Sequence, residues 1–232
     1  MGNRVGYELG DDGVATITMD DGKVNALSVG MLGDVGAAFD QAESDGAAVL
    51  LTGRRGVFSG GFDLRVIRGG DPAAALAMVR AGFELAERVL SFPRPVVAAA
   101  PGHAVAMGAF LLLSADLRIG VAAPSRYTAN EVAIGLSVPS AALAILRYRL
   151  TPSEADRAAV TAAVYGPREA KVAGFLHEVV EPDALPATAR GWAAAAASGL
   201  DAEGHRATKL RARADVLDEL RAGISELVAA RS

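Results

Sequence analysis

The stretch from residue 95 to residue 114 constrains the fold more than any other part of the chain. Pro95-Val-Val-Ala-Ala-Ala100 is short and uniformly apolar, so it reads as a buried strand. Pro101-Gly102 supplies turn chemistry, and residues 107–114 then read as an apolar helix. A strand, a tight turn and a helix, nearly all apolar, belong inside an α/β core.

The remaining elements fall around that unit. Val14-Ala-Thr-Ile-Thr-Met19 alternates as a half-buried strand does, and Asp20-Asp-Gly22 turns the chain. From Ser28 a helical period places Leu32, Val35, Phe39 and Ala42 on one face, and Gly46 closes the helix. Residues 47–51 form a short apolar strand before a glycine-rich loop over 53–61. A long helix is expected over 74–90, with Leu85 and Val89 on its apolar side and Glu84 four residues before Arg88. Residues 117–122 and 126–129 read as strands. After Pro139 the chain is mostly helical, with Thr151-Pro-Ser-Glu154 in the form of a capping box and residues 177–180 as a last strand. From Asp183 onward it is alanine-rich and helical, interrupted at Gly199 and Gly204. The expectation is a strand–strand–helix core over 1–182 and a helical region over 183–232, with no linker between independent domains.

Composition narrows the function. Of 232 residues 22% are charged, with a net charge of −4 and no basic patch, which argues against a nucleic-acid partner. The absence of cysteine removes disulfides, thiolate metal sites and a cysteine nucleophile. Residues 1–10 lack the apolar stretch of a signal peptide, and the longest apolar run, 104–113, is too short for a bilayer. No membrane association and a cytoplasmic location are therefore expected. His103, His177 and His205 are too scattered for metal ligation, so no metal is expected. Phosphate-loop and dinucleotide fingerprints are missing, and Ser59 lacks the first glycine of a nucleophile elbow.

Three segments carry possible chemistry. Lys23-Val-Asn-Ala-Leu27 precedes a helix that Ser28 can cap; alone it is a loop entering a helix. In Val57-Phe-Ser-Gly-Gly-Phe-Asp-Leu64, consecutive glycines let backbone N–H groups approach a ligand, and Asp63 can cap a short helix; the bland reading is a surface turn. The third segment runs from Pro95 to Asn130-Glu-Val-Ala-Ile-Gly135. Glu131 sits there among apolar neighbours, either a buried proton shuttle with a raised pKa or an exposed strand end.

In this order the segments resemble the crotonase (enoyl-CoA hydratase/isomerase) superfamily, over about residues 13–182. Val-Asn-Ala-Leu looks like the family's first CoA-contacting loop. Phe-Ser-Gly-Gly-Phe-Asp-Leu resembles its F-S-A-G-x-D-L signature, and Asn-Glu-Val-Ala-Ile-Gly its [PN]-E-x-x-[LI]-G motif. The resemblance implies a spiral of ββα units finished by helices that pack in a homotrimer or dimer of trimers. It implies an acyl-CoA thioester substrate, with coenzyme A part of that substrate and no separate cofactor. It assigns Glu131 as catalytic acid–base and the N–H groups of Phe62 and Met107 as an oxyanion hole, with Met107 in place of the usual glycine. Lys23, Val24, Ala26, Ser59, Gly60, Gly61, Asp63, Leu64 and Phe110 become substrate-binding positions, and Lys23, Arg54, Arg65 and Arg68 candidates for the CoA phosphates. Phe110 stands where hydratases carry a second glutamate, which favours shifting a 3-enoyl-CoA double bond to the 2-position. Hydration by a single glutamate and acyl-CoA binding without turnover remain open alternatives.

Overall fold

The computed structural model describes residues 4–229. Residues 1–3 of the N-terminal reading and residues 230–232 of the helical C-terminal reading lie outside the described residues.

The chain opens with β1 (Val5–Leu9) antiparallel to β2 (Val14–Met19), then α1 (Val29–Ser44). Three passes of one form follow. The first is β3 (Ala48–Gly53), β4 (Gly56–Ser59), α2 (Leu64–Arg68) and α3 (Pro72–Ser91). The second is β5 (Val96–Ala100), β6 (Gly102–Val105) and α4 (Met107–Ser114). The third is β7 (Leu117–Val121), β8 (Tyr127–Thr128), a 3-10 turn at Val132–Ile134 and α5 (Ser140–Arg149). Then come α6 (Pro152–Thr161), α7 (Pro167–Ala173), β9 (Glu178–Val180), a 3-10 turn at Pro182–Ala184, α8 (Leu185–Gly199), α9 (Ala202–Ala212) and α10 (Ala214–Ala229). In each pass the first strand joins a six-stranded sheet, β1-β2-β3-β5-β7-β9, and the second joins a three-stranded sheet, β4-β6-β8. Every pairing after the first is parallel. This is the α/β spiral of ββα units that the resemblance implies.

Side-chain alternation explains why β3 and β5 read as unbroken apolar runs: both faces are covered. Val49, Leu51, Val96, Ala98 and Ala100 enter the main core. Leu50, Val97 and Ala99 face the other way, into a second core closed by Leu185, Ala189 and Ala193, four residues apart on α8. Helix starts follow local chemistry. Ser28 Oγ accepts from the Met31 N–H at 3.2 Å, as expected, and Asp71 caps α3 with Pro72 in the first turn.

Several local expectations are corrected. The glycine-rich stretch 53–61 contains a strand, β4, because tertiary pairing with β6 outweighs weak local propensity. β1, which the sequence reading passed over, pairs with Ala15–Met19 of β2. Glu84 pairs with Arg80, at 2.7 Å, whereas Arg88 reaches across to Asp40 and Glu43 of α1. Thr151 makes no capping hydrogen bond; the Glu154 carboxylate instead accepts from Tyr165 Oη at 2.7 Å and from Arg157. Gly204 does not interrupt a helix but lies in the first turn of α9, its N–H held by Asp201 at 2.7 Å.

The C-terminal helices dock through buried cations. Lys209 Nζ donates to Asp116 Oδ2 (2.7 Å) and to the Phe92 and Arg94 carbonyls (2.9 and 3.0 Å). Arg213 donates to Asp116 Oδ1 (2.5 Å) and the Leu90 carbonyl (2.7 Å). Arg149 donates to the carbonyls of Leu113 and Ala115, and Arg118 to those of Ala115, Gly174 and Phe175. These carbonyls lie at the ends of α3, α4 and α7, where the helix dipole favours positive charge. Burial nevertheless pulls the Lys209 ammonium down to about 8. Asp116 is the one carboxylate that pairs with any of the four cations among the described residues. Asp116→Ala should therefore lower unfolding free energy by about 3 kcal/mol, the cost of stranding buried charge, as read from urea titration.

Candidate active site

Three segments leave the C-terminal ends of β4, β6 and β8 side by side. They carry Phe62, Met107 and Glu131. The 59–62 and 105–107 segments touch: a Cβ on Gly61 would lie 2.8 Å from the Val105 carbonyl oxygen and 3.5 Å from Met107 N. Gly61 has φ +87°, so that position requires glycine on both counts. Met107 opens α4, whose N–H groups have no intrahelical acceptor at that end. The residue before it, Ala106, holds φ +50° and ψ −126°, a conformation that costs a residue bearing a Cβ about 1–3 kcal/mol. Neither the Phe62 nor the Met107 N–H finds an acceptor among the described residues.

Beside these amides lies an apolar pocket of about 620 Å³, its open mouth included. Gly60, Phe62, Leu64, Val79, Phe83, Ala106, Asn130, Glu131 and Leu136 are among its walls. Glu131 is its one acid. The residue is 8% exposed, and Oε2 has no hydrogen-bond partner. Burial raises its carboxyl above the ordinary value, opposed only by its own backbone N–H. The Asn130 Oδ1 atom is likewise buried without a partner. A larger cavity of about 1210 Å³ lies under α8 on the far side of the six-stranded sheet; its linings, Thr16, Thr52, Arg55 and Arg190 among them, hold no buried acid without a partner.

Of the residues expected from sequence, the structure gathers Gly60, Phe62, Leu64 and Glu131 on the pocket wall, with the Met107 N–H adjoining. Others serve the scaffold. Ser59 Oγ is fully buried, donating to the Asn25 carbonyl (2.8 Å) and accepting from the Gly61 N–H (3.1 Å). The Gly60 N–H donates to the Val24 carbonyl at 2.8 Å, so neither glycine amide is free for a ligand. Asp63 caps α2 and forms a two-pronged pair with Arg65. That hydrogen bond to Arg65 holds its carboxyl below the ordinary value, unsuited to accepting a proton. The side chains of Met107 and Phe110 are buried in the core. Phe110 stands one layer behind the wall, stacked on Phe83 at 6.0 Å. Lys23, Val24 and Ala26 do not line the pocket. Their loop is pinned by Asp21, whose carboxylate accepts from the N–H groups of Lys23, Asn25 and Ala26 at 2.7–3.0 Å. Arg54 pairs with Asp20, and among the described residues neither Lys23 nor Arg68 has an ion-pair partner.

The sequence reading missed Ala106, for which alanine gives no signal, and Phe83, whose place on α3 is indistinguishable from that of any core residue. His103 and His177 are structural: their Nδ1 atoms accept the N–H groups of Arg126 and Arg118. No group of three or more potential metal-ligating residues occurs among the described residues. No described helix is long and apolar enough to cross a membrane.

A family model described as enoyl-CoA hydratase/isomerase matches residues 10–224. A probable enoyl-CoA hydratase from Mycobacterium avium (strain 104) is 32% identical over 215 residues, covering 90% of this chain and 81% of its own. The crystal structure of a probable enoyl-CoA hydratase from Mycobacterium tuberculosis H37Rv superposes with a TM-score of 0.94 at 46% identity, over 98% of this chain and 95% of that one. Human mitochondrial delta3-delta2-enoyl-CoA isomerase superposes with a TM-score of 0.91 at 28% identity, over 99% and 92%.

The raised carboxyl has a consequence for stability. In the unfolded chain Glu131 ionises near its ordinary value, and in the folded chain at higher pH. The folded state keeps the proton longer, so stability contributed below the ordinary value is lost as pH rises through the folded one. Glutamine has no proton to lose. Glu131→Gln should match the wild-type thermal midpoint near pH 4 and exceed it above pH 7, as read by calorimetry.

Proposed function

The chain belongs to the enoyl-CoA hydratase/isomerase family, and we propose that within it this acyl-CoA-processing enzyme moves the double bond of a 3-enoyl-CoA to the 2-position. One observation carries the reading: the pocket holds a single carboxylate, buried and without a partner on Oε2, in a mainly apolar wall whose other polar side chains are Asn130 and Ser137. A 1,3-proton shift needs one base that gives back what it takes.

The substrate thioester oxygen accepts hydrogen bonds from the Phe62 and Met107 N–H groups. Glu131 removes a C2 proton; the electron pair left at C2 delocalises through C1 onto the thioester oxygen and through the C3–C4 double bond onto C4, and the carboxyl returns the proton to C4, leaving the double bond between C2 and C3. Negative charge on that oxygen is greater in the transition state than in the substrate, so preorganised donors lower the barrier by about 3 kcal/mol each. Apolar walls, Phe83 backed by Phe110, keep water from the dienolate. Of the four cations considered for the CoA phosphates, Lys23 and Arg68 are the exposed ones without an ion-pair partner among the described residues. Coenzyme A arrives with the substrate, and no separate cofactor is required. Assembly as a trimer or dimer of trimers belongs to the same proposal, and sedimentation tests it.

A second reading, hydration of a 2-enoyl-CoA, is favoured by the partnerless Asn130 Oδ1, an acceptor for a water beside Glu131. The two readings separate on substrate. Purified protein with 3-hexenoyl-CoA should build the absorbance of a conjugated 2-enoyl thioester faster than it converts crotonyl-CoA to the 3-hydroxy product; the reverse order gives the second reading, and neither product overturns both. Glu131→Gln should lower kcat by about 10²–10⁴-fold with KM within a few-fold, because the group acts in the chemical step. Wild-type kcat/KM should rise with pH through an apparent pKa above the 4.5 of an ordinary glutamate.

A further inference from the structure

Both residues that present the free amides carry bulky side chains, and both side chains converge on one point of α3. A Cβ on Gly82 would lie 2.5 Å from Phe62 Cε1, 2.6 Å from Phe62 Cζ and 3.3 Å from Met107 Cγ. The first two distances are closer than packed carbon atoms come, and the third leaves no slack. Gly82 is buried at mid-helix, where alanine would favour the helix. Gly33 and Gly36 of α1 differ: a Cβ on either would meet nothing within 4 Å. Glycine at 82 therefore answers to its neighbours rather than to the helix.

The Phe62 ring is hemmed in on its inner side, while its other side lines the pocket. It meets Phe83 edge-on at 6.5 Å and 71°, and Phe83 in turn stacks on Phe110. The backbone on either side of Phe62 is held as well, by Gly61 against Val105 and by Asp63 through α2 and Arg65. Pressure from α3 therefore turns the ring into the pocket or passes to the Phe62 peptide and its N–H, and either movement unseats the residue. We infer that Gly82 is a positioning residue: the notch left by its missing side chain seats Phe62 and Met107 so that their amides face one substrate oxygen.

This inference rests on the isomerase reading, and a double-mutant cycle tests it. With 3-hexenoyl-CoA, Gly82→Ala in the wild-type background should lower kcat at least tenfold while KM changes less than threefold. The same substitution in a Phe62→Ala background should lower kcat less than twofold, because the ring it collides with is gone. Equal losses in the two backgrounds, or none in the first, would overturn the positioning role. Thermal midpoints of the four proteins report the collision independently of turnover: Gly82→Ala should depress the midpoint only when Phe62 is present. Wild-type protein inactive toward 3-hexenoyl-CoA overturns the functional reading, while the midpoints still decide whether residues 62 and 82 collide.

Discussion

Parallel pairing of three short strands is the constraint from which the site follows. In β4-β6-β8, Ser59 lies opposite Ala104, and Val105 opposite Thr128. Because the strands run the same way, their chains all exit on one edge, and the next two or three residues of each meet there. Those residues include Phe62, Met107 and Glu131. Sequence separations of 45 and 24 residues are thereby reduced to a single pocket. An antiparallel arrangement of the same segments would send alternate exits to opposite edges. Each first strand, β3, β5 and β7, anchors the pass in the larger sheet, so the small sheet is aligned by a rigid neighbour rather than by its own few hydrogen bonds.

Around this edge the polar groups divide into two kinds. Asn25, wholly buried, donates to the carbonyls of Met19 and Phe58, and its own carbonyl takes the Ser59 hydroxyl. Asp21 collects three backbone N–H groups, which together outweigh the desolvation that would raise its carboxyl and hold it below the ordinary range. Such groups are satisfied and have nothing left to offer a ligand. Glu131 Oε2, Asn130 Oδ1 and the two free amides are not satisfied, although burial makes an unmade hydrogen bond cost about 1–3 kcal/mol.

Local signals were legible where they needed only near neighbours. Ser28 and Asp63 cap the helices that follow them, because a side-chain oxygen two or three residues away suffices. The apolar runs of β3 and β5 announced burial because both of their faces are covered. Signals failed where a distant partner competed. Glu154 was drawn to the Tyr165 hydroxyl instead of the cap, and Arg88 to α1 instead of Glu84. The side chains of Ser59 and Asp63, positions that the resemblance places at the substrate, are bonded within the scaffold.

Sequence by itself determined the types and order of most elements, β1 and β4 excepted, and the identity of the lone acid, since periodicity, turn residues and the resemblance of ordered motifs all act through local or inherited pattern. It also determined that the donors at 62 and 107 exist, because every non-proline residue has an N–H. Tertiary structure alone decided that Glu131 is buried, that Phe110 stands behind the wall rather than in it, and that Gly82 faces Phe62. Each of these depends on which atoms fill the space around a residue, and that space is bounded by strands and helices far away along the chain.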